Sequence, residues 1–338
     1  MKKVNLKKYL FKPYHGGGFL QKFALWVFRI FVLFLFLNFF LFLFFQIPSV
    51  QRKATNYITS FLESRSGTKV ELASVRFNFF NNFELRGFSI DDLHANPVIY
   101  AQQLQINFSV NPVNLYRQRI VLDEVVLKNA GVNLRKYPGE TEQNIDLLIR
   151  KMFPPKDDKK KSDTKLKLII KTIQLAVVEF TDYNEHNGNY LSISTQRGEA
   201  KVGKMDFANK EYIFSSVIFD MPVFRLQYRK LSKEAIEASS KVKKETDDPN
   251  RKVLKLVFQD FELNDGSLFV DNYQRPPDPN IKISVDDIDW AHFAFNDVHA
   301  IGKNLIIHDG SYSASPLKIS LKESKGFEIK ELTAGFAG

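Results

Sequence analysis

The chain has 338 residues, no cysteine and a formal net charge of +10, and it contains 32 phenylalanines against 2 tryptophans. The lack of cysteine excludes disulfide bridges, thiolate zinc sites and a cysteine nucleophile. No Asp or Glu precedes Glu63, so much of the excess positive charge lies at the N-terminus. The charge therefore does not indicate a nucleic-acid-binding face, which would need basic residues clustered on a folded surface.

The first predicted element is a long apolar helix. Residues 30–51 carry no charged side chain, and a membrane-spanning helix needs roughly 20 predominantly apolar residues. The run is longer than the core of a signal peptide and no Ala-x-Ala pattern follows it, so we expect an uncleaved transmembrane anchor over residues 23–47. Seven basic residues precede or enter the run. The positive-inside rule therefore predicts a cytoplasmic basic tail at residues 1–22 and the bulk of the chain on the opposite side.

Residues 48–66 predict a short amphipathic helix. Apolar side chains from Val50 to Leu62 recur at helical spacing, and Gly67 follows as a C-terminal stop. Two functional roles are open for this helix: it caps an exposed sheet edge, or it lies on the membrane surface. An ordinary connecting helix is the third interpretation.

From Thr68 onward the apolar residues recur with a period of two, which predicts β-strands. The first β-repeat block covers residues 67–153 and ends in a short helix from Asn144 to Phe153, with Asn144 as its N-cap. Charged linkers at 154–165 and 230–252 set off a second block at 166–229 and a third at 253–338. Residues 233–244 of the second linker have helix-forming composition, and we expect the third block to be truncated.

The three blocks resemble one another, each with two strand-like runs separated by a short stretch. The paired runs are Leu168–Leu175 with Val178–Tyr183, Leu256–Leu263 with Ser267–Asn272 and, more weakly, Ile120–Leu127 with Gly131–Tyr137. We interpret the shared unit as a hairpin of strand, turn and strand. Repeated hairpins predict an elongated, twisted, antiparallel sheet that grows by stacking. Generic alternation in a hairpin-rich protein is the alternative.

The order of elements behind the anchor is similar to that of a known family. After the two helices come Gly67–Phe80, Phe83–Asp92, Tyr100–Ile106, Leu115–Leu127, Val132–Arg135 and Asn144–Leu148. This order resembles the N-terminal region of the AsmA-like proteins, and most closely their TamB branch in diderm bacteria. The resemblance covers residues 20–150, and residues 166–338 match only as further β repeats. TamB-like proteins are usually much longer and end in a conserved C-terminal domain.

The resemblance implies an inner-membrane protein with a trough-like (taco-like) periplasmic β-sheet, hydrophobic inside and polar outside. It also implies phospholipid transport between the inner and outer membranes. A further implied role is support for outer-membrane protein assembly, with a β-barrel partner of the TamA or BamA type. Phospholipid is the expected cargo. The rival hypothesis is a membrane-tethered structural or interaction domain that scaffolds an envelope complex without lipid.

The phenylalanine-rich strands predict one strongly apolar sheet face, because every second side chain of a strand points to the same side. In a closed sandwich this face is a core, and in an open curved sheet it is a groove for acyl chains. The lipid-groove candidates are Phe77, Phe79, Phe88, Ile90, Ile173, Leu175, Phe180, Phe261, Leu263 and Phe269.

Motifs of enzymes are weak in this sequence. Ser162–Lys165 and Ser315–Lys318 match Ser-x-x-Lys without its companion motifs. The six histidines form no His-x-x-x-His pair, and an exported hydrolase has little support. Asp286, Asp287 and Asp289 lack the glycine-containing loop of a calcium site, so turn and strand-end solvation is the favoured role. We expect no enzymatic activity, cofactor, metal or nucleic-acid partner.

Overall fold

The computed structural model describes residues 19–78, 81–109, 111–152, 167–206, 209–241, 253–275, 289, 291–308, 311–323 and 326–337. As the sequence predicted, this part of the chain is mainly β and carries one apolar helix near the N-terminus. The chain divides into two compact units, residues 1–50 and 51–338.

Helix α1 (Phe19–Gln46) dominates the first unit. Its segment Gln21–Gln46 is long and apolar enough to cross a membrane. Its large side chains are exposed, with Trp26 at 60% and Phe40 at 64% of their full accessibility. The expected anchor at 23–47 thus corresponds to a helix of the required length. Of the expected tail, residues 1–18 lie outside the described residues and residues 19–22 form the first turn of α1.

Helix α2 (Pro48–Ser66) has the predicted bounds. It ends where Gly67 adopts φ = +68°, a left-handed conformation that glycine reaches without steric cost. Its Thr55 Oγ1 accepts a hydrogen bond from the Val75 N–H (3.1 Å), and its Glu63 Oε1 accepts one from the Val70 N–H (3.3 Å). Helix α2 therefore caps the edge of the first strand, which was one of the two functional roles left open.

The second unit is built on one sheet. Its strands are β1 (Val70–Asn78), β2 (Asn82–Asp91), β3 (Pro97–Phe108), β4 (Arg119–Lys136), β5 (Lys167–Asn184), β6 (Asn189–Asp206), β7 (Glu211–Asp220), β8 (Val223–Tyr228), β9 (Lys255–Asn272), β10 (His292–His308), β11 (Ser311–Glu323) and β12 (Glu328–Ala337). Three short helices join them: α3 (Pro112–Tyr116), α4 (Asn144–Met152) and α5 (Lys233–Ser240). All three predicted blocks contribute strands to this sheet, in the order β1 to β7 and then β9 to β12.

Strands β7 and β8 both pair with β6 and with β9, so these four strands close a ring of pairings. The register explains the ring. Glu211 pairs with Lys255 at the start of β7, and Tyr228 pairs with Asn272 at the end of β8, with one constant offset of 44 residues. Strands β7 and β8 therefore lie end to end as two halves of one long strand between β6 and β9.

The sheet is mixed, which corrects the purely antiparallel prediction. The pairs β4–β5, β7–β9 and β8–β9 are parallel. A parallel pair needs a crossover connection of a dozen residues or more. The two charged linkers predicted at 154–165 and 230–252 lie within these two crossovers, which is why a linker separates each block from the next. Residues 154–165 lie outside the described residues.

The predicted hairpin repeat is also wrong. Each pair of runs follows one strand. Leu168–Leu175 and Val178–Tyr183 both belong to β5, and the other two pairs belong to β9 and, except for Tyr137, to β4. The short stretch between the runs is a kink and not a turn. Its residue Val177 has φ = +54°, after which the chain continues in the same direction beside β4.

These kinks are aligned across the sheet in what we call the kink row. The row consists of opposed residues on β2 to β9: Gly87, Gln102, Asn129, Val177, Gln196, Met221 and Asp265. Five of them, all except the two glutamines, have φ between +45° and +59°. The ladder keeps its register across the row, because Lys128 and Ala130 pair with Ala176 and Val178 at the same offset. From β2 to β9 the irregularity therefore lies at the same level of the sheet.

Candidate functional site

The candidate site is one face of the sheet, and the pairing register defines it. Directly paired residues point to the same face of a sheet. One line of paired residues crosses all eleven positions of the strand order, and we call it the Phe77 row. Its members are Phe77, Phe83, Ile106, Val125, Ile173, Ala200, Val217, Phe261, Gly302, Leu317 and Ala334. No polar side chain interrupts it.

A second line, the Val75 row, runs beside the first on the same side of the kink row. Its members are Val75, Leu85, Leu104, Leu127, Leu175, Gly198, Phe219, Leu263, Ala300, Ile319 and Leu332. Across the kink row lies a third line, the Val70 row. It comprises Val70, Ile90, Ile99, Val132, Phe180, Ile193, Phe224, Leu268 and Phe295.

The three rows share one face although the alternation changes phase between them. In β5, Leu175 and Val178 are three residues apart, so regular alternation would place them on opposite faces. Strand β1 shows that the kink reverses the alternation and returns these side chains to one face. The N–H groups of Val70 and Val75 both point to the edge that α2 covers, although residues five apart in a regular strand point to opposite edges.

For an L-residue, the strand direction and the edge toward which its N–H points together fix the side of its side chain. The side chains of Val70 and Val75 therefore lie on the same face, and both are buried, at 3% and 0% exposure. Because paired residues share a face, the side chains of the Val70 and Val75 rows all lie on this face. We call this surface the apolar face.

Most of the predicted groove residues lie on the apolar face. Phe77, Ile173 and Phe261 belong to the Phe77 row, Leu175 and Leu263 to the Val75 row, and Ile90 and Phe180 to the Val70 row. Phe88 lies two residues before Ile90 on β2 and pairs with Ala101, so it lies on the same face. Phe79 lies outside the described residues.

Phe269 lies on the opposite, polar face. It pairs with Arg225 and Ala294, and its row continues through Ser192 and Thr181. The Arg225 guanidinium lies 4.8 Å from the centre of the Phe269 ring, a cation–π arrangement that covers the aromatic surface. Phe261 and Phe269 are eight residues apart on β9, so regular alternation would place them on the same face. The kink at Asp265 separates them.

Glycines let aromatic rings lie flat on the apolar face. A Cβ added to Gly302 would come within 2.4 Å of the Phe261 ring and 3.1 Å of Leu317, so the ring rests on the glycine backbone. A Cβ added to Gly198 would lie 2.8 Å from the Phe219 ring and 3.4 Å from the Leu175 side chain. The rings therefore contribute a smooth apolar surface instead of ridges.

Two helices cover the apolar face at the β1–β3 end. Ile90 is 3% exposed and forms a closed core with Val70, Val98 and Leu148 of α4, and Leu62 of α2 packs against this core together with Phe88. Ile90 is thus a core residue with no surface for a ligand. Farther along the sheet, Ile173, Leu175, Phe180, Phe261 and Leu263 are half-buried.

A buried polar network fixes α4 on the sheet. Asp92 is 3% exposed, and one of its carboxylate oxygens accepts hydrogen bonds from the Tyr137 hydroxyl (2.6 Å) and the Asn144 amide (3.1 Å). The other oxygen accepts from the backbone N–H groups of His94 and Asn96. Burial by itself raises the pKa of Asp92, but these four donors outweigh it and hold the pKa below its usual value. Burial and the Asp92 carboxylate raise the pKa of Tyr137.

The carbonyl of Gln143 accepts a hydrogen bond from the Leu147 N–H, so Gln143 is the N-cap of α4 and the N-cap prediction for Asn144 is wrong. Asn144 is the first residue of the helix. Its Oδ1 accepts hydrogen bonds from the N–H groups of Ile145 and Arg135, so it links the start of α4 to β4. Asp92, which follows Asp91 in the sequence, orders a turn and a helix. Asp286 and Asp287 lie outside the described residues.

Sequence reasoning missed Asp182, an acid on the apolar face between Leu134 and Leu191. Burial raises the pKa of Asp182, while the Gln143 amide donates a hydrogen bond to it (3.0 Å) and opposes that rise. Its position two residues after Phe180 is the sequence signal that would have placed it on this face.

A scan against protein-family models matches none of them, and no curated protein matches the chain significantly.

Proposed function

We propose that this protein is a membrane-anchored β protein whose apolar face binds the acyl chains of phospholipids, as the resemblance to AsmA/TamB proteins implies. In this proposal α1 spans the inner membrane and the sheet lies in the periplasm as an open trough. The observation that carries the proposal is the Phe77 row, which crosses the whole strand order without a polar side chain.

The dimensions of the row suit an acyl chain. Neighbouring strands lie about 4.8 Å apart, so a row of eleven strands measures roughly 48 Å along the sheet. One leaflet of a bilayer core is about 15 Å thick, so a row offers room for several chain lengths. Each CH₂ moved from water to an apolar surface gains about 0.8 kcal/mol. A continuous row would therefore remove most of the free-energy cost of exposing an acyl chain to water along the path. Transport along it would be passive or driven by another protein.

The strand order supports the groove over a closed core. The terminal strands β1 and β12 stand at the two ends of the strand order, and among the described strands each has a single strand partner. The rival function, a scaffold with a dry core, is favoured by the low exposure of Val217, Phe295 and Leu317, at 2%, 7% and 7%. The half-buried Leu175 and Phe261 favour the groove.

The proposal includes one protein partner, an outer-membrane β-barrel of the TamA or BamA type, which the resemblance implies.

Phospholipid that co-purifies with the full chain tests the lipid function. The double variant Leu175→Gln/Phe261→Gln places two amides on the apolar face. The matched control Ile218→Gln/Phe269→Gln removes a similar apolar surface from the opposite face, where Ile218 is 36% exposed. We expect the first variant to lose most of the bound phospholipid and the control to retain it. Equal lipid content in the two variants, or no lipid in the wild type, would favour the scaffold.

A further inference from the structure

Helix α2 has a second surface that no contact with the sheet explains. One side of the helix packs on β1 through Thr55 and Glu63. The other side consists of eight exposed residues that form a continuous arc at helical spacing: Arg52, Lys53, Asn56, Tyr57, Ser60, Phe61, Ser64 and Arg65. We call this surface the outer face of α2.

The outer face of α2 combines aromatic rings with positive charge. Tyr57 is 73% exposed and Phe61 48% exposed, and their rings stack with centroids 6.5 Å apart. The Arg65 guanidinium lies over Phe61 at 5.6 Å from the ring centre. Three basic residues and no acid belong to the eight, since Glu63 is turned toward β1. A helix face of this composition is typical of interfacial helices that contact anionic lipid.

The chain itself supplies the matching partner. One residue, Ile47, separates the end of α1 at Gln46 from the start of α2 at Pro48. A helix that leaves a membrane-spanning segment at this distance starts at the level of the lipid headgroups. Tyrosine and basic side chains are enriched at that level, because an apolar body and a polar end suit the boundary.

We propose that the outer face of α2 lies on the membrane surface and binds the anionic headgroups of phospholipids, while its inner side caps β1. This surface is distinct from the apolar face of the sheet. The inference depends on α1 as a membrane anchor, which is part of the proposed function, and does not depend on any lipid cargo. The helix thereby attaches the first strand of the sheet to the bilayer surface from which a lipid would enter.

The chain has no cysteine, so a single introduced cysteine carries an environment-sensitive fluorophore without background labelling. The probe replaces Ser60 (Ser60→Cys) on the outer face of α2, and the matched control replaces Ser240 (Ser240→Cys), an exposed serine of α5. The full chain is reconstituted in vesicles of phosphatidylcholine with phosphatidylglycerol, or of phosphatidylcholine alone. Flotation of the protein with the vesicles verifies the anchor independently.

We expect the probe at position 60 to report an apolar environment, and to be quenched by lipid-borne quenchers, in the phosphatidylglycerol vesicles. The probe at position 240 should remain water-exposed. A basic residue near an anionic surface contributes about 1 kcal/mol, or roughly a fivefold factor. The variant R52Q/K53Q/R65Q should therefore lower the docking constant roughly a hundredfold. High salt should have a similar effect, since it shortens the Debye length from about 8 Å to about 3 Å.

The control K233Q/K241Q/K303Q removes three exposed basic residues elsewhere and should leave docking unchanged. Y57S/F61S should abolish docking on the phosphatidylglycerol vesicles, with an unchanged circular dichroism spectrum as evidence that the sheet is folded. A water-exposed probe at position 60 in phosphatidylglycerol vesicles that do float with the protein overturns the proposal. Docking that is equally strong in R52Q/K53Q/R65Q would overturn its electrostatic basis.

Discussion

Val177 provides a quantitative test of the kink row. It is a β-branched residue with φ = +54°, and a left-handed conformation costs an L-residue about 1–2 kcal/mol. Asparagine tolerates this conformation, and the residue beside Val177 on β4 is Asn129. Val177 is 50% exposed, so its replacement forfeits about half of the roughly 1.5–2 kcal/mol that full burial of a valine contributes. The gain and the loss nearly cancel.

We therefore expect Val177→Asn to change the free energy of unfolding by no more than about 0.5 kcal/mol. The matched control is Val178→Asn, on the apolar face between Ala130 and Thr195. It loses a valine's burial and desolvates an amide, which together cost about 3 kcal/mol. For a folded unit of this size, thermal unfolding of the full chain in detergent should separate the two variants by about 5–10 °C. An equal loss of stability in both variants would refute the kinked-strand geometry.

Two further predictions concern the network of α4 and the glycines of the apolar face. Because the pKa of Asp92 is lowered in the folded state, the stability it contributes is present above its unfolded value near 3.9 and is lost as the pH falls through the folded value. Asp92→Asn should be less stable than the wild type at neutral pH, and this difference should shrink in urea titrations at acid pH; a constant difference would contradict the assignment. Gly302→Ala should displace the Phe261 ring and lower the free energy of unfolding by about 1–3 kcal/mol. In the comparison variant Gly326→Ala the added methyl group meets open space, and the only cost is backbone strain from the φ of +114°. A Gly302→Ala protein with unchanged thermal stability would mean that the ring does not rest on the glycine.

The sequence predicted the elements whose signals are local. The apolar run of α1, the spacing and glycine stop of α2 and the period-two strands each depend on neighbouring residues, and the structure confirms them. The helix predicted from Asn144 to Phe153 is present from Asn144 to Met152, and Phe153 lies outside the described residues.

The kink row could not be predicted from one strand. A three-residue gap such as Leu175–Val178 looks like a turn, and the Asn or Asp residues at 129 and 265 favour turns as readily as kinks. Val177 is the clearest case, because a β-branched residue disfavours the conformation it adopts. Only the paired strands make the kinks visible, since each irregularity lies beside another. The same phase change moved Phe269 to the polar face, and tertiary packing of α4 turned Ile90 into a core residue.

Photo-crosslinking on strand β9 tests the central claim most directly. A photoreactive phenylalanine analogue at position 261 or position 269 retains the phenyl ring and samples the two faces of one strand. The account predicts a phospholipid adduct of the full chain from position 261, detected by mass spectrometry after irradiation in membranes, and none from position 269. Equal adducts from both positions, or none from position 261, would contradict an acyl-chain-binding apolar face.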